Sequence, residues 1–406
     1  MMEFERTIAP VIKKISRGFP IVLLTGMRQI GKTFLLNKIR EPRRKYVSLD
    51  FPDERELARN HPDLFLQKHT PPVLIDEVQY APELFTYIKI YVDTHNKNGL
   101  FWLTGSQQFS LMKGIQESLA GRVAILDMLG LSYREMIGQS EGRPFLLSNT
   151  RGKKPPTQRE LKLLDLYRII WNGSFPRLAV HGGKNRAVFY RSYLQTYIER
   201  DVKDYQGIND TIKFFKFIRA AAVRTGNLLN YADLARDADI DVRTAKTWLG
   251  TLERSRLVKL LYPYYVNVTK RLIKTPKIYF MDTGLCAFLA GLDTPKSLEA
   301  SYLNGAILET WAFCEILKSY WHNGEDPSIY FYRDADQREI DFVIERNMTL
   351  YPIEVKKTSV PTPEAAKHFA LLKKLKKPVG PGVILCLRPT ALPLNEKVTA
   401  LPVWEI

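Results

Sequence analysis

Short, unbroken apolar runs alternate with amphipathic stretches over the first third of the chain. Residues 19–25, 45–50, 72–76, 99–105 and 122–128 are rich in Val, Ile, Leu and Phe and are bounded by polar or Gly/Pro-containing segments. Runs of that length, apolar on both faces, predict buried strands, and the intervening segments carry helical spacing. Strands alternating with helices predict a parallel α/β sheet over residues 1–140. Residues 142–156 break the pattern with Gly, Pro and basic residues, which predicts an exposed connection. From 158 to 295 the periodicity is mainly helical, with one strand pair near 258–281. The block 296–406 returns to mixed α/β. There a helix is predicted at 302–319, paired strands at 340–344 and 350–356, a helix at 363–376 and a strand at 382–388.

The first strand runs directly into Gly26-Met27-Arg28-Gln29-Ile30-Gly31-Lys32-Thr33, the spacing G-x-x-x-x-G-K-[ST]. Glycines at the two ends of such a loop let its N–H groups converge on phosphate oxygens. Lys32 can reach the β- and γ-phosphates, and the Thr33 hydroxyl can ligate Mg²⁺. The helix predicted from Phe34 onward aims its positive end at the same anion. A second strand ends in Asp76-Glu77, the Walker B pattern, in which Asp76 holds the Mg²⁺ shell and Glu77 polarises the attacking water. A third ends in Thr104-Gly105-Ser106. Strand carboxyl ends face the ligand crevice of a parallel sheet, so Thr104 or Ser106 is placed to sense the γ-phosphate, or else the turn simply ends the strand. Arg122 either reaches the transferring phosphate or is a surface arginine.

A formal net charge of +17 favours polyanionic partners, the alternative being a merely basic soluble protein. Three cysteines, Cys286, Cys314 and Cys386, lie far apart without metal-ligand spacing, which argues against a disulfide framework and for a reducing cytoplasm. The N-terminus lacks the apolar core of a signal peptide. No apolar run approaches the ~20 residues of a membrane-spanning helix. Oligomeric state has no signature in the sequence.

The loop motif, Leu-Ile-Asp-Glu-Val-Gln at 74–79, Leu-Thr-Gly-Ser at 103–106 and Leu-Ala-Gly-Arg at 119–122 together resemble the AAA-type ATPases of bacteria and archaea. More narrowly, the chain is similar to the group whose P-loop domain precedes a C-terminal domain of unknown function. Gly173-Ser-Phe-Pro176, Tyr197-Ile-Glu-Arg-Asp-Val202, Tyr279-Phe-Met-Asp-Thr-Gly284 and Gly305-Ala-Ile-Leu-Glu-Thr-Trp311 agree with that group. The resemblance covers essentially the whole chain and implies ATP as the nucleotide.

Two further constellations bear on function. Asn230 is placed to cap a helix over 231–236, and a polar turn at 237–241 leads to a second helix over 242–254. On that helix Val242, Ala245, Trp248, Leu249 and Leu252 form an apolar stripe, while Arg243, Thr244, Lys246 and Thr247 face away. This is either a winged helix-turn-helix, with Lys270–Lys274 in its wing and the second helix in a DNA groove, or a helical lid. In the last block, Glu354 and Lys356 share a strand face and Asp341 on the paired strand can join them. That is the D…E-x-K pattern of restriction-endonuclease-like nucleases. Glu309, on an apolar helix stripe, needs a partner there. Glu309, Asp341 and Glu354 with Lys356 are therefore a candidate second metal site, or an inert scaffold in which Glu309 pairs with Lys356.

The resulting expectation is an α/β P-loop NTPase domain (1–140), a helical and winged-helix region (158–295) and a small nuclease-like domain (296–406). It would use ATP and Mg²⁺ to control engagement of nucleic acid. The alternatives are an ATP-gated switch for a protein partner and an ATP-dependent DNA nuclease.

Overall fold

The computed structural model describes residues 3–105, 118–146, 160–198, 210–267, 271 and 274–406. They divide into two compact units: residues 1–142 with 254–256 and 321–325, and residues 143–253, 257–320 and 326–406.

The first unit is built on five strands, β1 (Ile21–Thr25), β2 (Lys45–Ser48), β3 (Val73–Asp76), β4 (Phe101–Thr104) and β5 (Val123–Asp127), in the order β2-β3-β4-β1-β5. Every pairing is parallel. β1, β3 and β4 are buried at every position, as unbroken apolar runs require when both faces are covered. Helices α1 (Ile8–Ser16), α2 (Lys32–Ile39), α3 (Pro52–Asn60), α4 (Pro62–Lys68), α5 (Leu84–His95) and α6 (Tyr133–Met136) complete it. The connection after the internal strand β1 opens at the carboxyl edge of the sheet, between neighbours β4 and β5. Crevices in sheets of this kind form at that edge.

The second unit begins with α7 (Leu163–Asn172), α8 (Pro176–Val180) and α9 (Arg186–Tyr197). Next come α10 (Thr211–Ala222), α11 (Tyr231–Ala238), α12 (Val242–Arg254) and an antiparallel pair, β6 (Val258–Leu261) and β7 (Lys277–Phe280). Asn230 Oδ1 caps α11, accepting from the Ala232 and Asp233 amides. Trp248 of α12 packs edge-on against Phe214 and Phe217 of α10 at 5.2 and 5.6 Å. Val242, expected in that stripe, is exposed instead, because it opens the first turn before the helix reaches its neighbours.

After α13 (Thr283–Leu289) and α14 (Pro295–Ala300), the long α15 (Asn304–Trp321) leads to a six-stranded mixed sheet. Its strands are β8 (Ile329–Arg333), β9 (Glu339–Arg346), β10 (Thr349–Val355), β11 (Gly382–Cys386), β12 (Leu392–Pro393) and β13 (Val398–Pro402), ordered β12-β13-β11-β10-β9-β8. The β9–β10 turn places Asn347 and Met348 at φ +50° and +61°, the geometry of a two-residue hairpin. The helix expected at 363–376 is present over Pro363–Leu375, wound as a 3₁₀ helix.

Two of the motifs shared with the resembled group prove to be structural. Asp282 accepts from Ser174 N and Oγ (2.6 and 2.7 Å), Tyr190 Oη (2.8 Å) and the Leu285 amide it caps (2.7 Å). All its acceptor sites are used inside the core, so the cluster is a buried fastening of α7–α9 to α13.

Candidate nucleotide site and the acidic cluster

The loop after β1 has the conformation its glycines allow. Gly26 has φ +144°, and a Cβ there would lie 2.1 Å from the Met128 carbonyl oxygen, so only glycine fits. Gly31, at φ +90°, caps the N-terminus of α2, and a Cβ on it would meet no heavy atom within 4 Å. The concave side of the loop is thus open at the positive end of a helix. Met27 and Ile30 are buried beneath the loop, which leaves their side chains as packing; Gln29 is exposed at φ +60°, and Arg28 is half-buried. Lys32 is buried, and its Nζ donates to the Gly26 and Met27 carbonyls at 3.1 and 2.8 Å.

Asp76 ends β3 beside this loop. Its Oδ1 accepts from Thr33 Oγ1 at 2.8 Å and from Thr104 Oγ1, and Tyr46 Oη lies 3.4 Å from Oδ2. Burial raises the Asp76 pKa, with Glu77 and Asp50 adding to the shift and the Thr104 and Thr33 hydrogen bonds opposing it. Glu77 is held at φ +55°, an unusual conformation for a side-chain-bearing residue. Its amide donates to Thr104 Oγ1 at 3.2 Å, and its carboxylate accepts from Gln79 Nε2. Gln79, which sequence reasoning passed over, thereby orients the second acid; the only hint was its place two residues after Glu77.

The structure brings Lys32, Thr33, Asp76, Glu77 and Thr104 together at one sheet edge. It does not bring Arg122 there. Arg122 precedes β5, whose first residue pairs with Ile21 at the start of β1, so it lies a strand's length from the loop. Its guanidinium binds both carboxylate oxygens of Asp93 on α5, at 2.6 and 2.9 Å. A role on this chain's own phosphate site is corrected accordingly. Ser106 lies outside the described residues.

In the second unit, Asp341 and Glu354 stand on one face: the register pairs Ile353 with Phe342, so the next pair is Glu354 with Asp341. Asp341 Oδ2 accepts from the Val355 amide at 2.8 Å, and Lys356 Nζ meets Glu354 Oε1 at 2.6 Å. Glu309 does not pair with Lys356. Its Oε1 accepts from Lys277 Nζ at 3.0 Å and Tyr279 Oη at 2.5 Å, both from β7, and Lys277 also meets Glu339 at 2.5 Å. Among the described residues no three His, Cys, Asp or Glu side chains are grouped as metal ligands. Glu309, Asp341 and Glu354 are thus not gathered into one ligand set among the described residues: Lys277 and Tyr279 take up Glu309, while Lys356 meets Glu354. Burial, with Glu309 and Glu354 nearby, pushes the Asp341 pKa well up. Burial also raises Glu354, whose Oε2 is buried without a hydrogen-bond partner.

Arg243 and Lys246 of α12 are exposed. The segment after β6 is not a free wing. Pro263 bridges Phe331 on edge strand β8, and the Tyr264 amide donates to the Phe331 carbonyl at 2.6 Å. Arg271, nearly buried, lies 4.3 and 4.6 Å from the ring centres of Tyr264 and Tyr330. The segment covers an open sheet edge, which leaves Arg271 unavailable to a nucleic-acid groove. Lys270 lies outside the described residues.

A parallel sheet with a glycine-lysine loop after an internal strand defines a P-loop nucleotide-binding fold. Residues 18–137 match the AAA domain family. Residues 163–296 match a domain of unknown function (DUF8612), and residues 304–406 match another (DUF4143). The first unit thus carries an AAA-type P-loop domain. An uncharacterized protein of Mycobacterium tuberculosis is 28% identical over 412 residues, covering 100% of this chain and 85% of its own. An uncharacterized protein of Methanocaldococcus jannaschii is 24% identical, covering 83% and 76% respectively. Among solved structures, the RuvB Holliday junction branch migration motor of Thermotoga maritima aligns at 14% identity and a TM-score of 0.30, over 63% of this chain and 89% of that one. No helix among the described residues is long and apolar enough to cross a membrane.

Proposed function

We propose that this chain binds and hydrolyses ATP, and that nucleotide state governs engagement of nucleic acid by the second unit. The observation that carries the reading is the convergence of the Thr33 and Thr104 hydroxyls on Asp76, beside the buried Lys32. The hydrogen bonds described above for Lys32 go to neutral carbonyls, and a phosphate oxygen is a stronger partner for an ammonium. The donor set fits Mg²⁺: the Thr33 hydroxyl and Asp76 would hold the ion, which supplies charge neutralisation at the β- and γ-phosphate oxygens. Asp76, whose charge is disfavoured by burial, gains most from a cation. Glu77, steadied by Gln79, orients and polarises the attacking water, while Thr104, bonded to the Asp76 carboxylate and the Glu77 backbone amide, reports on the γ-phosphate.

Nucleic acid as the partner is supported by the +17 charge and by the exposed Arg243 and Lys246 on α12. The helix order α10–α11–α12 supports the helix-turn-helix part of that reading, with α12 as its second helix. One observation favours the alternative of a protein-partner switch with an inert C-terminal region: Lys277 neutralises the acidic cluster from within.

The test is ATP turnover with and without duplex DNA across a salt series, beside a Mg²⁺-dependent nicking assay. The expected result is DNA-stimulated turnover that weakens steeply with salt, and no nicking. Turnover indifferent to DNA, with no DNA binding at low salt, would favour the protein-partner switch. Nicking abolished by Asp341→Ala would identify a nuclease.

A further inference from the structure

We infer that Arg6, in the segment before α1, is a positioning residue for the nucleotide's phosphates: its guanidinium fixes the direction in which the loop presents the Gly31 amide. The inference rests on the nucleotide-binding reading above.

Arg6 is almost fully buried, and its donors are distributed over three carbonyls and one carboxylate. Nη1 donates to the Ile30 carbonyl at 3.1 Å. Nη2 donates to the Leu129 carbonyl at 2.7 Å and the Gly130 carbonyl at 3.3 Å, and Nε meets Glu135 Oε1 at 3.2 Å. In a planar trans peptide the carbonyl and the following N–H point in opposite directions. With the Ile30 carbonyl turned to Arg6, the Gly31 N–H is turned away from Arg6, at a residue whose Cβ would meet nothing within 4 Å and which opens α2. An N–H so directed at a helix N-terminus is available to a phosphate oxygen.

The anchor behind Arg6 is itself fixed. Glu135 accepts from the Thr7 and Ser132 amides at 2.8 and 2.9 Å, within a capping box that starts α6. His322 Nδ1 lies 3.4 Å from Glu135, and His322 Nε2 accepts from the Leu129 amide at 3.2 Å. Burial opposes the charge on Glu135, but Arg6 and His322 hold its pKa well below the usual carboxylate range. The guanidinium is thus held by an ionised partner. Only arginine has a planar fork that can serve all four acceptors; a lysine would leave at least one buried carbonyl unbonded.

The test uses the full chain, with ADP affinity from equilibrium titration and folding from thermal melts, at a temperature well below each melt. Arg6→Met is expected to weaken ADP at least tenfold while remaining folded. In Arg6→Gly, millimolar guanidinium ion is expected to restore ADP affinity at least partly, and to do nothing for Lys32→Ala. A role confined to packing would lower the melting temperature and leave affinity and rescue untouched. If Arg6→Met does not fold, Arg6→Lys keeps the charge and is expected to weaken ADP three- to tenfold. ADP affinity within twofold of wild type in whichever variant folds would overturn the inference. Failure of the wild-type chain to bind ADP would instead sink the nucleotide reading itself.

Discussion

Each unit sets lysine beside carboxylates at the ends of strands, and the two arrangements differ in what the lysines are bonded to. In the first unit Lys32 donates to the carbonyls of Gly26 and Met27, and the partners described for Asp76 are hydroxyls. Neutral partners can be exchanged for a phosphate or a cation at modest cost. In the second unit Lys277 and Lys356 meet Glu309, Glu339 and Glu354 directly, at 3.0, 2.5 and 2.6 Å. There two ammonium groups already hold three carboxylates, and a ligand would have to displace a mostly buried ion pair. A motif of residue types marks both places, but only the bonding state separates a receptive site from a closed one.

The largest expected effect is at the receptive end. Gly26→Ala forces a methyl to within 2.1 Å of a backbone carbonyl at an unfavourable φ, so the loop must rearrange. Nucleotide binding should be lost by titration, with a melting temperature lowered by several degrees. Near-wild-type affinity would show that the loop geometry is not what receives the phosphate.

Next in size is the closed end. Lys277→Met removes the ammonium shared by Glu309 and Glu339, and breaking a mostly buried pair from one side costs about 3 kcal/mol. Denaturant unfolding should show that loss, with ATP turnover per folded molecule unchanged. A cost near zero would mean the cluster is not closed by Lys277.

The smallest effect sharpens the same point by pH. Because the Asp341 pKa is raised on folding, its contribution to stability is full below the unfolded carboxylate pKa and declines as pH rises through the folded value. Asp341→Asn keeps an acceptor for the Val355 amide and removes that decline. It should stabilise the chain relative to wild type near pH 8 and leave stability unchanged near pH 3. A variant less stable than wild type at pH 8 would contradict the assignment.

What could be read in the sequence was what is encoded locally. The strand-loop-helix run at 21–39 and the acids ending β3 are set by neighbours in the chain, so their spacing carried them. The shared face of Asp341 and Glu354 followed from strand alternation and a short turn. Lys277 did not follow, because its partners come from α15 and β9, more than 30 residues away; a lysine opening the apolar run Lys-Ile-Tyr-Phe was the one available signal. Arg6 had none, since its bond to Ile30 spans 24 residues and depends on how the N-terminal segment folds under the loop. Arg122 was misplaced although parallel strand order alone puts a residue before β5 at the edge away from the loop. The segment around Arg271 was read as a wing because its docking on β8 depends on where the last sheet ends.

The most direct test of the central claim compares Mg²⁺-dependent ATP hydrolysis and ATP binding in wild type and Glu77→Gln. If the carboxyl edge of the first sheet is a working site, the variant binds ATP as wild type does and loses most of its turnover, because Gln keeps the shape and the contact to Gln79 but cannot polarise water. Equal turnover in the two proteins would contradict it.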